Sequence, residues 1–111
     1  MDTLIAQARQ HTSGKTIAIL GGIPYPDQKR RLEEALACTI LWSGAEQGKH
    51  SARCRRNVRH ADLVIALVKL SAHQLVDFAF TTCRGGGPSL IIAPAGLSPR
   101  RIAHEIITQL R

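Results

Sequence analysis

Four short apolar runs constrain this chain more than any other feature: Thr16-Ile-Ala-Ile-Leu20, Thr39-Ile-Leu-Trp42, Asp62-Leu-Val-Ile-Ala-Leu-Val68 and Ser89-Leu-Ile-Ile-Ala93. None alternates apolar with polar residues. A strand with one wet face shows that alternation, so short, continuous runs indicate strands covered on both faces, as in a parallel sheet. The runs end at Gly21-Gly22, Ser43-Gly44, Lys69-Leu-Ser71 and Pro94.

Amphipathic segments fill the intervals. Asp27 to Ala37 places Leu32, Ala35 and Leu36 on one side of a helix and Lys29, Arg30, Arg31, Glu33 and Glu34 around the rest. Ser51 to Ala61 offers the thinner stripe Cys54, Val58 and Ala61. Ala72, Leu75, Val76, Ala79, Phe80 and Cys83 follow a full helical period. In the last segment Ser98-Pro99 supplies an N-cap and a proline at the first helical position, ahead of the stripe Ile102, Ile106, Ile107 and Leu110. Leu4, Ile5 and Ala8 predict a further helix over Thr3 to His11. Gly85-Gly86-Gly87-Pro88 leads from a helix into a strand, which suits a helix C-cap and turn.

The resulting β-α-β-α-β-α-β-α pattern, with its helical prefix, predicts a small doubly wound, flavodoxin- or Rossmann-like α/β fold. Its four-stranded parallel sheet is expected in the order 2-1-3-4. Residues 1–14 form the N-terminal helix and residues 15–111 one domain. At 111 residues the chain can bury a core without metals or disulfides, and with 4% aromatics that core is expected to be aliphatic.

Three scattered cysteines, Cys38, Cys54 and Cys83, without a Cys-x-x-Cys pair, indicate a reducing compartment. The opening residues are too polar for a signal peptide and no run approaches a membrane span, so a cytoplasmic location and no membrane partner are expected. A formal charge of +7 favours anionic partners: a phosphorylated small molecule, an acidic protein or nucleic acid.

In open α/β sheets ligands lie beyond the carboxyl ends of the strands, where the connections diverge. For order 2-1-3-4 that crevice falls between strands one and three. Gly21, Gly22, Ser43, Lys69, Ser71 and His73 are its expected ligand-binding residues. The first loop lacks both Gly-x-Gly-x-x-Gly and a terminal Gly-Lys-Ser/Thr, and Pro24 and Pro26 carry no amide proton. No nucleotide cofactor is therefore inferred. Ser71 and Gln74 have the spacing of a capping box, which helix physics explains. His73 is different: a helix N-terminus disfavours a charged imidazole, so a neutral ring facing a ligand is the functional alternative to an ordinary exposed residue.

The stretch Lys49 to His60 holds one lysine, four arginines and two histidines, with no acid. Lys49, Arg53, Arg55, Arg56 and Arg59 are candidate anion- or nucleic-acid-binding residues. Like charges at i, i+3 and i, i+4 repel, and a bound anion relieves that repulsion. The stretch has no interleaved aromatic on which bases could stack. His50 and Cys54 alone do not make a metal site, and no metal is expected. The arginines around Cys54 would lower its thiol pKa, whereas its place on the apolar stripe predicts burial.

Taken together, Ile19-Leu-Gly-Gly22, Ala61-Asp62-Leu-Val-Ile65, Ala72-His73-Gln74, Leu90-Ile-Ile-Ala93 and Gly96-Leu-Ser98 resemble the motifs of the family catalogued as domain of unknown function 2325. The resemblance spans roughly residues 15–110. It implies a small Rossmann-like unit whose glycine pair and histidine face the crevice, and it implies no particular reaction.

Three functional expectations follow. The first is a homodimeric binding or regulatory module, with Phe78 a candidate subunit contact, holding an anionic small molecule or an acidic protein partner at the strand one/strand three crevice. The second is a nucleic-acid-binding accessory protein acting through the basic helix 49–60. The third is a small enzyme using His73, with no catalytic residue assigned.

Overall fold

The structure is a computed structural model that describes residues 3–22, 25–44, 52–67, 81, 83, 87–93 and 98–110, with Arg53 described for its backbone alone. Its elements run α1 (Thr3–Thr12), β1 (Thr16–Leu20), α2 (Pro26–Leu36), β2 (Thr39–Ser43), α3 (Ala52–His60), β3 (Leu63–Leu67), β4 (Ser89–Ala93) and α4 (Pro99–Gln109). Thr81 and Cys83 carry helical backbone ahead of β4. The four strands form one all-parallel sheet, as the apolar runs predict, in the order β2-β1-β3-β4 expected by analogy with flavodoxin-like sheets.

The pleat sorts the strand side chains into two cores. Ile17, Ile19, Ile40, Trp42, Leu63, Ile65, Leu67, Ile91 and Ala93 face one side, where they meet Ala8 of α1, Leu32 and Leu36 of α2 and Ile102, Ala103 and Ile106 of α4. The alternate positions Ala18, Leu20, Val64 and Ala66 face the other side and meet Cys54 and Val58 of α3, with Cys83 packed against them. Both faces are thus dry, which is why the strand sequences show no polar alternation. The core is not wholly aliphatic, however. Trp42 is buried in the first cluster, its indole N–H having found a backbone acceptor.

Helix α1 is tied into the body by Thr12, whose buried hydroxyl donates to the Leu36 carbonyl at 2.6 Å. That carbonyl is one of the acceptors a helix C-terminus leaves unmatched. Helix α2 ends one residue before the sequence pattern suggests, because Ala37 turns left-handed with φ 53° and its amide closes on Glu33. Asp62 stands just outside β3 and pins it to β1: its amide donates to the Thr16 carbonyl at 2.8 Å, and its carboxylate accepts from the Thr16 amide at 2.9 Å. Ser98 caps α4 as its sequence predicts, accepting from the Arg101 amide at 3.2 Å.

The two edge strands carry side-chain guards. Glu33 accepts the outward amide of Ile40 on β2 at 2.9 Å. On β4, the Gln109 amide matches Ile92 in both directions, accepting at 2.8 Å and donating at 2.7 Å, as an added strand would.

Candidate functional site

At the carboxyl end of β1 the chain leaves the sheet through Gly21 and Gly22, with φ of 106° and 69°. These values lie in the left-handed region, where a Cβ is strained and glycine is not. Both residues are buried. The turn is fixed from two directions: the Gly21 amide donates to the Ser43 carbonyl at 2.8 Å, and the Trp42 indole N–H donates to the Gly21 carbonyl at 2.8 Å. Strand β1 then feeds α2 on one face of the sheet. The connection that follows β3 brings Cys83 to the opposite face. The mouth between β1 and β3 is therefore the point where the chain diverges, with bare glycine backbone on one wall.

Ser43 ends β2 beside this turn and is fully buried. Its hydroxyl accepts from the Asn57 side-chain amide at 3.0 Å and also bonds the Cys54 thiol. Ser43 thus ties α3 to the end of β2, next to the glycine turn. Lys69, Ser71 and His73 lie outside the described residues, as do the Ser71–Gln74 capping box and Phe78.

Cys54 is buried on the apolar stripe of α3. Burial pushes its thiol pKa up, and the bond with Ser43 only partly offsets that. The activating effect expected from the neighbouring arginines is overturned, because desolvation of the thiolate is the larger influence. Cys38 is pushed up to about 11 by burial and by the Glu33 carboxylate.

Burial of Cys54 and Val58 turns Arg55, Arg56 and Arg59 outward, and all three are exposed on α3 with no ion pair among the described residues. Lys49 and the Arg53 side chain lie outside the described residues. Among the described residues, no group of three or more His, Cys, Asp or Glu side chains could hold a metal, and no helix is long and apolar enough to cross a membrane.

Sequence reasoning missed Asn57 and Trp42, the two side chains that organise the ends of β1 and β2. A signal for Asn57 was available. It stands three residues after Cys54 and four before Ala61, on the stripe that α3 buries. The chain matches no protein-family model, no curated protein and no solved structure.

Proposed function

We propose that this chain is a small binding or regulatory module that holds an anionic small molecule or acidic protein partner at the mouth between β1 and β3. The observation that carries this reading is the buried Gly21-Gly22 turn at the point where the strand order reverses. Open α/β sheets bind their ligands at such points, and a turn without Cβ atoms lets a ligand approach the backbone. The net charge of +7 favours an anion. Within this reading the protein is cytoplasmic and homodimeric, and belongs with the units of domain of unknown function 2325. His73, six residues beyond the last residue of β3, is its candidate polar contact, with Lys69 and Ser71.

Native mass spectrometry of freshly purified protein tests it, reporting subunit number and any retained mass. His73→Ala is expected to leave thermal stability nearly unchanged while releasing the bound molecule. A large stability loss with the ligand retained would make His73 structural and remove it from the site.

A second reading rests on α3, where three exposed arginines share a helix without a single acid. Nucleic acid bound there would weaken steeply with salt, and Arg55→Ala with Arg59→Ala would flatten that dependence. If no oligonucleotide binds at low salt, this reading fails.

A further inference from the structure

The outer edge of β2 carries a second, independent set of binding groups. The Thr39 amide and the Ser43 carbonyl both point to β1, donating to Lys15 and accepting from Gly21. Strand geometry therefore directs the backbone groups of the alternate residues, Ile40 and Trp42, away from the sheet. Glu33 satisfies the Ile40 amide. The Ile40 carbonyl and the Trp42 amide and carbonyl have no hydrogen-bond partner among the described residues.

A cleft of about 240 Å³ lies against this edge, between the start of α2 and the Asn57 side chain of α3. Asn57 is only 7% exposed. Asn57 lines the cleft; its amide nitrogen is held by Ser43, whereas its Oδ1 acceptor has no partner among the described residues. A buried acceptor left unmatched costs about 1–3 kcal/mol, which a ligand donor would recover. Lys29 lines the same cleft, half-buried and with no ion pair among the described residues. Its neighbour one turn on, Glu33, is the carboxylate that holds Ile40. Tyr25, a residue 56% exposed, completes the wall.

These groups define the ligand's chemistry. Three carbonyl oxygens require a ligand that donates hydrogen bonds, one amide requires an acceptor, one ammonium requires a single anion, and the ring offers an apolar contact. Bare phosphate or sulfate supplies the charge but no N–H, and sets its oxygens against the carbonyls. We propose that the β2 edge cleft binds a secondary amide that ends in a carboxylate, the chemistry of a peptide's C-terminal residue or of an N-acylamino acid. The ligand's N–H faces Asn57 Oδ1 or a strand carbonyl, its C=O faces the Trp42 amide, and its carboxylate meets Lys29. This is strand addition shortened to one residue, because Glu33 closes the edge at Ile40. The volume falls below the roughly 300–1,000 Å³ of drug-sized sites, which also favours a chain end.

The test is amide NMR on the full chain, titrated with N-acetylphenylalanine, its methyl ester, an acetylated tripeptide ending in phenylalanine, and inorganic phosphate. The free acid is expected to shift the Trp42 backbone amide and the Asn57 side-chain amide saturably. The ester, and separately Lys29→Gln, should weaken binding about tenfold, while Lys29→Arg keeps it within about threefold. A tripeptide binding tighter than the single residue identifies a peptide terminus as the source, and equal binding identifies the free N-acylamino acid. The proposal is overturned if the ester binds as well as the acid, if phosphate moves the same resonances as strongly, or if nothing saturates by ~10 mM. None of these outcomes depends on the mouth between β1 and β3.

Discussion

Removing the Ser43 hydroxyl should cost far more than one neutral hydrogen bond normally contributes. Ser43 is fully buried and Asn57 is 7% exposed, with 3.0 Å between the hydroxyl oxygen and the amide nitrogen. In Ser43→Ala the Asn57 N–H keeps its burial and loses its acceptor. The cost is then the desolvation penalty of a stranded donor, about 1–3 kcal/mol, rather than the net ~1 kcal/mol of a typical bond. For a domain of this size about 2 kcal/mol corresponds to a Tm lower by roughly 6–12 °C. Asn57→Leu, which removes the donor and keeps the volume, should cost less, since the serine hydroxyl keeps its bond with Cys54. The double variant should recover part of the Ser43→Ala loss, giving a coupling of about 1 kcal/mol or more. Urea unfolding of the four proteins measures all of these terms, with the m-value as a check on two-state behaviour. A Ser43→Ala protein within about 0.3 kcal/mol of the parent, or strictly additive variants, would refute the reasoning. The Asn57 amide would then be solvated in solution.

Other perturbations have opposite signs or different readouts. Ala37→Gly should stabilise the protein by about 0.5–1 kcal/mol, because Ala37 holds φ 53° at the α2 C-terminus and glycine adopts that conformation without a Cβ penalty; an unchanged or lower Tm would contradict this. Gln109→Ala removes an exposed pair of hydrogen bonds that water can replace, so stability should fall by less than about 1 kcal/mol. Its larger effect should be self-association through the uncovered β4 edge, seen by light scattering; a variant as monodisperse as the parent would show that Gln109 does not guard it. Cys38 has a folded-state pKa of about 11 against an ordinary 9.0, so folding favours its protonated form. The stability it contributes is complete below pH 9 and lost as pH rises towards 11, and Cys38→Ser should flatten that alkaline decline.

The lines of descent from sequence to structure differ for each kind of feature. The β-strands were legible because both faces of a parallel sheet are dry, and that condition writes itself locally as four apolar runs. Strand order was expected only by analogy with flavodoxin-like sheets, because the alternation of strand and helix is compatible with several doubly wound orders. Helix α4 was legible from its cap, since Ser98 and Pro99 act within one turn of the residues they serve. The glycine turn could be read as a sharp exit from β1. That it is held by Ser43 and Trp42, about twenty residues further along the chain, could not.

The basic helix shows the same division within nine residues. Its charge is a property of composition, and its outward display follows from the stripe it buries. Asn57 sits on that stripe, where an apolar residue is the default, and only the approach of Ser43 makes an amide stable there. The fate of Cys54 likewise turned on which effect dominates at a site surrounded by arginines in sequence and by side chains of the core in space.

The sequence by itself determined the class of fold and the excess of positive charge, because these depend on periodicity and composition. The tertiary structure alone decided which polar groups are matched and which are left open. Asn57 and Ser43 are fourteen positions apart, Trp42 and Gly21 twenty-one, and Gln109 and Ile92 seventeen. Hydrogen bonds at those separations exist only after the helices dock on the sheet. So does the half-open edge of β2, where acceptors without a partner among the described residues share a cleft with Lys29, which forms no ion pair among them.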